Sequence, residues 1–248
     1  MSLWMVLALS LLPGIGNFAG GMLAEFGKTS GRLLNLALHA ASGIVIAIVS
    51  VELIPEALKV LEGWWIAAAF GAGGIAYILV ETAVEKAQTS ASSDTSSTRM
   101  WMIYTAVAVD LASDGLMLGS GAAVSFGLAI ALAAGQVLAD LPEGYASVAN
   151  FRKNRVARTT RIWLSASFIL FSCGAALLSY TLLRDAGEEP KMAALAFVSG
   201  LLTVAAVEDM LEEAHEARRD NRSSVLAFVG GFVLFTLVSV GLEALLEQ

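Results

Sequence analysis

Four acidic residues stand in two short, otherwise apolar stretches of the chain. Asp110 and Asp114 lie four residues apart, and Asp140 and Glu143 lie three apart. On a helix, residues at these spacings share one face, so each stretch presents a pair of carboxylates in one direction. No lysine or arginine stands in either stretch. The compensating partner is then a proton, water or a bound cation, and we favour a cation site over a proton-only relay or a structural role.

A proline and two glycines accompany these carboxylates. Pro142 has no N–H group, so the carbonyl of Leu138 loses its helical partner. A freed carbonyl oxygen beside carboxylates is a ligand that hard cations prefer. Gly115 and Gly144 each follow an acidic residue directly and are predicted to let the two helices that carry these acids approach each other closely.

The elements that must position these residues are membrane helices. Of the 248 residues, 57% are apolar and only 15% are charged, and the mean hydropathy is +0.73. Soluble domains have about 45–50% apolar and about 25% charged residues. Because a spanning helix takes ~20 residues, the chain holds about eight and little else.

We therefore predict an all-α integral membrane protein with a single transmembrane domain over residues 1–248. A Ser/Thr-rich, low-complexity segment at 87–98 is predicted to be a linker between the third and fourth helices. The eight predicted helices cover residues 2–26, 33–58, 64–84, 101–120, 122–149, 162–183, 192–212 and 224–246.

The distribution of basic residues predicts the orientation. Twelve of the 15 lysines and arginines fall in loops on one side of the predicted membrane. Cytoplasmic loops carry this excess, so we expect both termini outside the cytosol and the linker 87–98 inside it. The expected location is a cell membrane, as in a prokaryotic inner membrane.

A weak internal repeat relates the second and seventh helices. A spacing of 157 residues pairs Glu52 with Asp209 and Glu56 with Glu213. The two copies run in opposite directions through the predicted membrane. Inverted repeats around a central pair of helices are typical of transporters, and they predict a 3+2+3 arrangement around helices 4 and 5.

These paired acids are candidates for two vestibules. Glu52 and Glu56 would receive cations at the outer end of helix 2, and Asp209 and Glu213 would release them at the inner end of helix 7. His215, beside Glu213, is a candidate relay at the exit. The alternative is that these are ordinary helix-end side chains in the headgroup zone.

Other functions find little support in the sequence. The net charge of −7 and the absence of a basic stripe argue against nucleic acid. An intramembrane aspartyl protease would use aspartates from two helices, but its Gly-x-Gly-Asp signature is absent. We predict that the chain is not an enzyme and has no organic cofactor. His39 is interpreted as structural and Cys173, the one cysteine, as a packing residue.

The two central helices resemble those of the ZIP (Zrt/Irt-like) divalent metal transporters, closest to the GufA-like bacterial branch. Residues 110–115, Asp-Leu-Ala-Ser-Asp-Gly, occupy the family's frame His-Asn-x-x-Asp/Glu-Gly. Residues 139–144, Ala-Asp-Leu-Pro-Glu-Gly, occupy the frame His/Gln-Asn/Asp-x-Pro-Glu-Gly. Residues 51–57 and 208–216 also resemble the matching family segments.

The resemblance implies a transporter that moves zinc, iron or manganese into the cytosol by alternating access, with the metal as substrate. It implies four metal ligands: Asp110, Asp114, Asp140 and Glu143. The chain departs from the family where Asp110 replaces a histidine, Leu111 an asparagine and Ala139 a histidine or glutamine. We therefore expect one metal held by oxygen alone.

A second interpretation is a degenerate family member that binds or senses metal without transporting it. In either case the expected partners are the metal ion and membrane lipid. A homodimer is compatible with the sequence.

Overall fold

A computed structural model describes residues 1–28, 30–91, 95–219 and 221–246. In these residues the chain is helical, without strands, and all eight long helices are apolar enough to cross a membrane. The prediction of an all-α, multi-pass membrane protein with eight such helices is therefore confirmed. The helices are α1 Leu3–Phe26, α2 Gly31–Leu58, α3 Gly63–Ala91, α4 Thr95–Val124, α5 Phe126–Lys153, α6 Arg158–Leu183, α7 Glu188–Ala217 and α8 Arg222–Leu246.

Several helices extend beyond the apolar segments that predicted them. Helix α3 continues to Ala91 and α4 begins at Thr95, so most of the predicted linker 87–98 is helical; residues 92–94 of that linker lie outside the described residues. Adding residues to an existing helix costs far less than starting one, so polar flanks are readily included. Helix α7 begins at Glu188, whose acidic side chain suits the first turn of a helix.

The helices form two groups of four. Helices α1, α4, α5 and α6 pack together, chiefly as the pairs α1–α5 and α4–α6, and we call them the first bundle. Helices α2, α3, α7 and α8 form the second bundle, chiefly through the pairs α2–α8 and α3–α7. The two bundles meet mainly where α2 packs on α5 and α7 packs on α4.

Glycines set how closely α1 and α5 approach. A Cβ atom on Gly20 would collide with the carbonyl oxygen of Leu141, and one on Gly144 would collide with that of Asn17. The two backbones are therefore in direct contact, as small residues permit in membrane helices. This contact fixes the position of α5 just where it carries its acidic residues. Gly115 of α4 packs in the same way against the backbone of α6, so the prediction that Gly115 and Gly144 bring α4 and α5 together is wrong.

Two helices contain a turn of π-helix. In α2 it covers Ile48–Leu53, and the N–H of Ile54 bonds to the carbonyl of Val49, five residues back. In α7 it covers Ala206–Met210, and the N–H of Leu211 bonds to the carbonyl of Ala206. Such turns hold one residue more than an α-helical turn and are frequent at functional sites.

One end of the molecule gathers arginines, and we call it the basic end. Two nitrogens of Arg161 donate to both carboxylate oxygens of Glu25 at 2.8 and 2.6 Å, and Arg158 lies 3.3 Å from the same carboxylate. Arg152 donates to the carbonyls of Ala24 and Gly27. Met1 and Leu246, the first and last residues that the structure describes, lie at the opposite end.

All five tryptophans are exposed on the perimeter of the protein. They lie near the first turns of four helices, three toward the opposite end and two toward the basic end. Interfacial tryptophans of this kind mark the two surfaces of a bilayer. The residues are Trp4, Trp64, Trp65, Trp101 and Trp163.

Candidate metal centre

The structure brings the four predicted carboxylates together inside the first bundle. Helices α4 and α5 are consecutive, run antiparallel and are in contact. Each carries two of the acidic residues on the face toward the other helix. The four are almost completely buried, with exposures of 4, 2, 0 and 5% for Asp110, Asp114, Asp140 and Glu143.

Three of them are close enough to hold one cation. Asp110, Asp114 and Glu143 each offer a carboxylate oxygen, and these three oxygens lie within 4.8 Å of one another. Two oxygen ligands on opposite sides of a cation lie about twice the metal–oxygen bond length apart, roughly 4.2 Å for Mg²⁺ and about 5 Å for Ca²⁺. The separation therefore fits a shared divalent ion.

The antiparallel helices pair the carboxyl groups in two layers. Asp110 lies beside Glu143, and one turn farther along α4 Asp114 lies beside Asp140. An ionised carboxylate only accepts hydrogen bonds, so two facing carboxylates repel one another unless a proton lies between them. A cation could take the place of that proton.

Several oxygens of the cluster have no donor. In the described part of the chain, no hydrogen-bond donor reaches Oδ2 of Asp114, Oε2 of Glu143 or either oxygen of Asp140. None of the ion pairs between described residues includes a member of the cluster. Buried charges without partners are strongly unfavourable, so the arrangement is suited to a positive ligand.

Gln136 also belongs to this site, and the sequence analysis missed it. Its side chain is 1% exposed and forms a hydrogen bond with Asp114, while its Oε1 has no donor among the described residues. The signal was present in the spacing, because Gln136 stands four residues before Asp140 and seven before Glu143. These spacings place all three on one face of α5.

Two of the positions where the chain departs from the ZIP frame, Leu111 and Ala139, provide no ligand. Leu111 is fully buried in an apolar cluster with Ala108 and Phe168, and Ala139 lies in another apolar cluster. Helix α6 contains no aspartate or glutamate. The four carboxylates therefore offer oxygen ligands, and the one sulfur lining the cavity beside Asp110 and Glu143 is the thioether of Met210.

A cavity connects the cluster with acids of the second bundle. A space of about 60 Å³ is lined by Asp110 and Glu143 of the first bundle and by Asp209 and Glu213 of α7. The last two also line a larger cavity of about 380 Å³ toward the basic end, together with Tyr77 of α3. We call this larger cavity the basic vestibule.

The acids of the basic vestibule are held by neighbouring helices. The Tyr77 hydroxyl donates to Oδ2 of Asp209, and Nδ2 of Asn150 donates to Oε1 of Glu213 at 2.5 Å. The vestibule thus joins α3 and α7 of the second bundle to α5 of the first. Glutamates 81, 208, 212 and 216 also line it, so its wall is strongly acidic.

Glu52 and Glu56 line a separate cavity of about 370 Å³ at the opposite end. Ser239 donates to Glu52, and Lys59 pairs with Glu56 at 2.5 Å. The Glu56 carboxylate raises the pKa of Lys59, chiefly through this hydrogen bond. We call this cavity the opposite vestibule, and none of the four central carboxylates lines it.

An apolar layer separates the opposite vestibule from the cluster. Ile48, Met117, Leu132 and Phe235 are fully buried there, in one core between the two bundles. A Cβ atom on Gly135 would meet both Phe235 and Ile48. Asp110 and Glu143 therefore share a cavity with two acids of the basic vestibule, and the apolar layer lies between the two bundles on the other side.

The two histidines lie together, away from the vestibule. The rings of His39 and His215 are 5.8 Å apart, edge to face, so they link α2 to α7. Nδ1 of His39 lies 2.7 Å from the carbonyl oxygen of Asn35. His215 does not line the cavity that Asp209 and Glu213 share with the cluster.

Comparison of the sequence with known proteins gives no assignment. No family model matches the chain, and no curated protein matches it.

Proposed function

We propose that the protein is a ZIP-like transporter that carries zinc, iron or manganese ions across the cell membrane into the cytosol by alternating access. The observation that supports this most is the cluster of four buried carboxylates on two adjacent membrane helices. Three of its oxygens lie within 4.8 Å of one another, and no basic side chain in the described residues forms an ion pair with it. Acids at membrane depth mark ion pathways.

The cavities suggest a route for the ion. The cluster shares the 60 Å³ space with Asp209 and Glu213, which also line the basic vestibule. Under the positive-inside rule the basic end faces the cytosol, so this conformation corresponds to the inward-facing side of the cycle. Glu52 and Glu56 in the opposite vestibule are then the first acids that an incoming cation meets.

The bundle contacts favour inverted repeats. Gly43 of α2 contacts α8, where a Cβ atom would collide with the carbonyl of Phe228. Gly200, 157 residues later on α7, contacts α3 in the same way at the carbonyl of Phe70. The same repeat would relate α1 to α6 and α5 to α4, so the pair α1–α5 corresponds to the pair α4–α6. These equivalences support the proposed 3+2+3 arrangement.

The division into two bundles offers a mechanism for alternating access. The first bundle holds the metal ligands, whereas the acids of both vestibules lie chiefly on α2 and α7 of the second. A displacement of one bundle against the other would transfer the cluster from one vestibule to the other. The apolar layer at Ile48 and Phe235 is the contact that such a displacement must open.

Uptake by the purified protein in proteoliposomes tests the proposal. We expect accumulation of radioactive Mn²⁺ or Zn²⁺ that is abolished by Glu143→Ala. The matched control is Glu62→Gln, an exposed acid in the α2–α3 connection, which should transport normally.

Two results would contradict the proposal in different ways. Normal uptake by well-expressed Glu143→Ala would show that the cluster is not the transport site. Metal binding without uptake in the unmodified protein would favour a degenerate ZIP-like protein that binds or senses metal.

A further inference from the structure

We propose that Gln136 is itself a ligand of the transported cation, and that its neutral Oε1 completes the end of the site nearest the opposite vestibule. This inference rests on the proposed function. It assigns a role to a side chain that the family frame does not include, one turn before the position where Ala139 replaces the family's ligand.

The position of Gln136 follows from the antiparallel helices. Helix α5 runs from the opposite end toward the basic end, so Gln136 precedes Asp140 and Glu143 on the same face. Its hydrogen-bond partner is Asp114, which also pairs with Asp140. Gln136, Asp114 and Asp140 thus form the layer of the site farther from the basic vestibule.

The unpartnered oxygen indicates a ligand. A primary amide has two donor hydrogens and one acceptor oxygen. The hydrogen bond to the Asp114 carboxylate uses the NH₂ group, which turns Oε1 away from that carboxylate. Oε1 is buried and receives no donor from the described residues. A buried amide oxygen without a hydrogen-bond donor lowers the stability of the fold unless a cation binds to it.

The charge of the site explains why a neutral ligand belongs there. Four carboxylates already exceed the charge of one divalent ion, so a fifth would bind the ion more tightly and slow its release. An amide oxygen raises the coordination number without adding charge, and the number of charged ligands tunes affinity in oxygen sites. An amide ligand at position 136 therefore favours binding of an oxygen-preferring divalent ion and still allows its release from the site.

Mn²⁺ binding to the purified full-length protein tests this, with free Mn²⁺ measured by electron paramagnetic resonance. Gln136→Leu should weaken binding about tenfold, as loss of a supporting polar group does in other metal sites. The matched control is Asn17→Leu, since Asn17 is also a buried amide without partners among the described residues but lies on α1, which carries none of the four carboxylates. That variant should bind like the unmodified protein.

A spectroscopic variant separates a ligand from a residue that only positions Asp114. Gln136→His places an imidazole nitrogen where Oε1 lies, so bound Mn²⁺ should show a nitrogen coupling in pulsed resonance spectra. The unmodified protein should show none. If Gln136→His does not fold, Gln136→Glu is tested instead. We expect this variant to bind Mn²⁺ more tightly and to take it up more slowly at saturating metal.

The outcomes separate the two proposals. If the unmodified protein binds no divalent ion, the proposed function fails and this inference fails with it. If the unmodified protein binds Mn²⁺ and the Gln136 variants bind identically, or Gln136→His binds without nitrogen coupling, the transporter proposal stands and Gln136 is not a ligand.

Discussion

Glu52 of α2 and Asp209 of α7 each lie within a π-helical turn, and 157 residues separate them. The same spacing relates the turns themselves, Ile48–Leu53 and Ala206–Met210, to within one residue. One acid lines the opposite vestibule and the other lines the basic vestibule. A shared local irregularity at both positions is what an inverted repeat would produce.

The vestibule acids should affect delivery of the ion more than its binding at the centre. We expect the double variant Asp209→Asn with Glu213→Gln to lower the uptake rate at low metal concentration about tenfold, since a focused negative field raises local cation concentration. Mn²⁺ binding at the cluster should persist, measured on the same preparations. Loss of both binding and uptake would place these acids within the central site instead.

Metal binding should release protons. Cations and protons compete for the same carboxylate oxygens, and we expect four buried carboxyl groups so close together to retain protons when no cation is bound. Affinity should therefore fall as pH falls. Calorimetric titration with Mn²⁺ in two buffers of different ionisation enthalpy measures the number of protons released.

The control for this titration neutralises part of the cluster. Replacing Asp114 with Asn and Glu143 with Gln together should remove the proton release. A proton count of zero in the unmodified protein would mean that the carboxyl groups carry no proton to displace, which would contradict the buried site.

The transport profile should be broad across Zn²⁺, Fe²⁺ and Mn²⁺. Carboxylate and amide oxygens suit Mn²⁺ well, whereas imidazole favours zinc, and the four carboxylates and Gln136 offer oxygen. Competition of each metal against radioactive Mn²⁺ uptake measures the profile. Strict selectivity for zinc over manganese would indicate a nitrogen or sulfur ligand in the site.

Asp110→His should shift this profile toward zinc, because it places an imidazole where a carboxylate oxygen now lies within 4.8 Å of those of Asp114 and Glu143. The neighbouring change Leu111→Asn should instead destabilise the protein by about 1–3 kcal/mol. Leu111 is fully buried among apolar side chains, where an amide has no partner to replace water. Thermal unfolding and zinc affinity of the two single variants distinguish these effects.

The contact between α1 and α5 should be sensitive to a single methyl group. Gly20→Ala places a Cβ atom against the Leu141 carbonyl, so we expect a loss of about 1–3 kcal/mol of stability. Gly174→Ala is the matched control, since a Cβ atom there would have no atom of another helix within 4 Å and α6 is helical at this position. It should be neutral or stabilising by about 0.4–1 kcal/mol, by thermal unfolding in detergent.

The sequence was informative wherever a single helix carries the signal. Each spanning helix contains its own apolar stretch, so the eight helices could be predicted without knowledge of their packing. The spacings of Asp110 with Asp114 and of Asp140 with Glu143 likewise follow from one helix each. Their meeting in one cluster required only that consecutive helices pack side by side.

Features that depend on several helices could not be predicted in this way. The two bundles and the apolar layer arise from contacts between distant segments. A π-helical turn changes neither composition nor hydropathy, so nothing in the apolar pattern marks it. Gln136 is uncharged and therefore did not stand out in an apolar segment, although its spacing was regular. The pairing of His39 with His215 joins residues 176 positions apart.

The exposed tryptophans have a consequence for the lipid in which the protein is studied. From Trp163 to the end of α6 at Leu183 is 20 residues, or about 30 Å of helix. That length matches the hydrocarbon thickness of an ordinary bilayer. In thicker, sterol-rich bilayers the aromatic side chains would be drawn into the acyl chains, and hydrophobic mismatch would force the helices to tilt or the lipid to deform. Acyl-chain length is therefore a variable that acts on the contact between the two bundles without any change in the sequence.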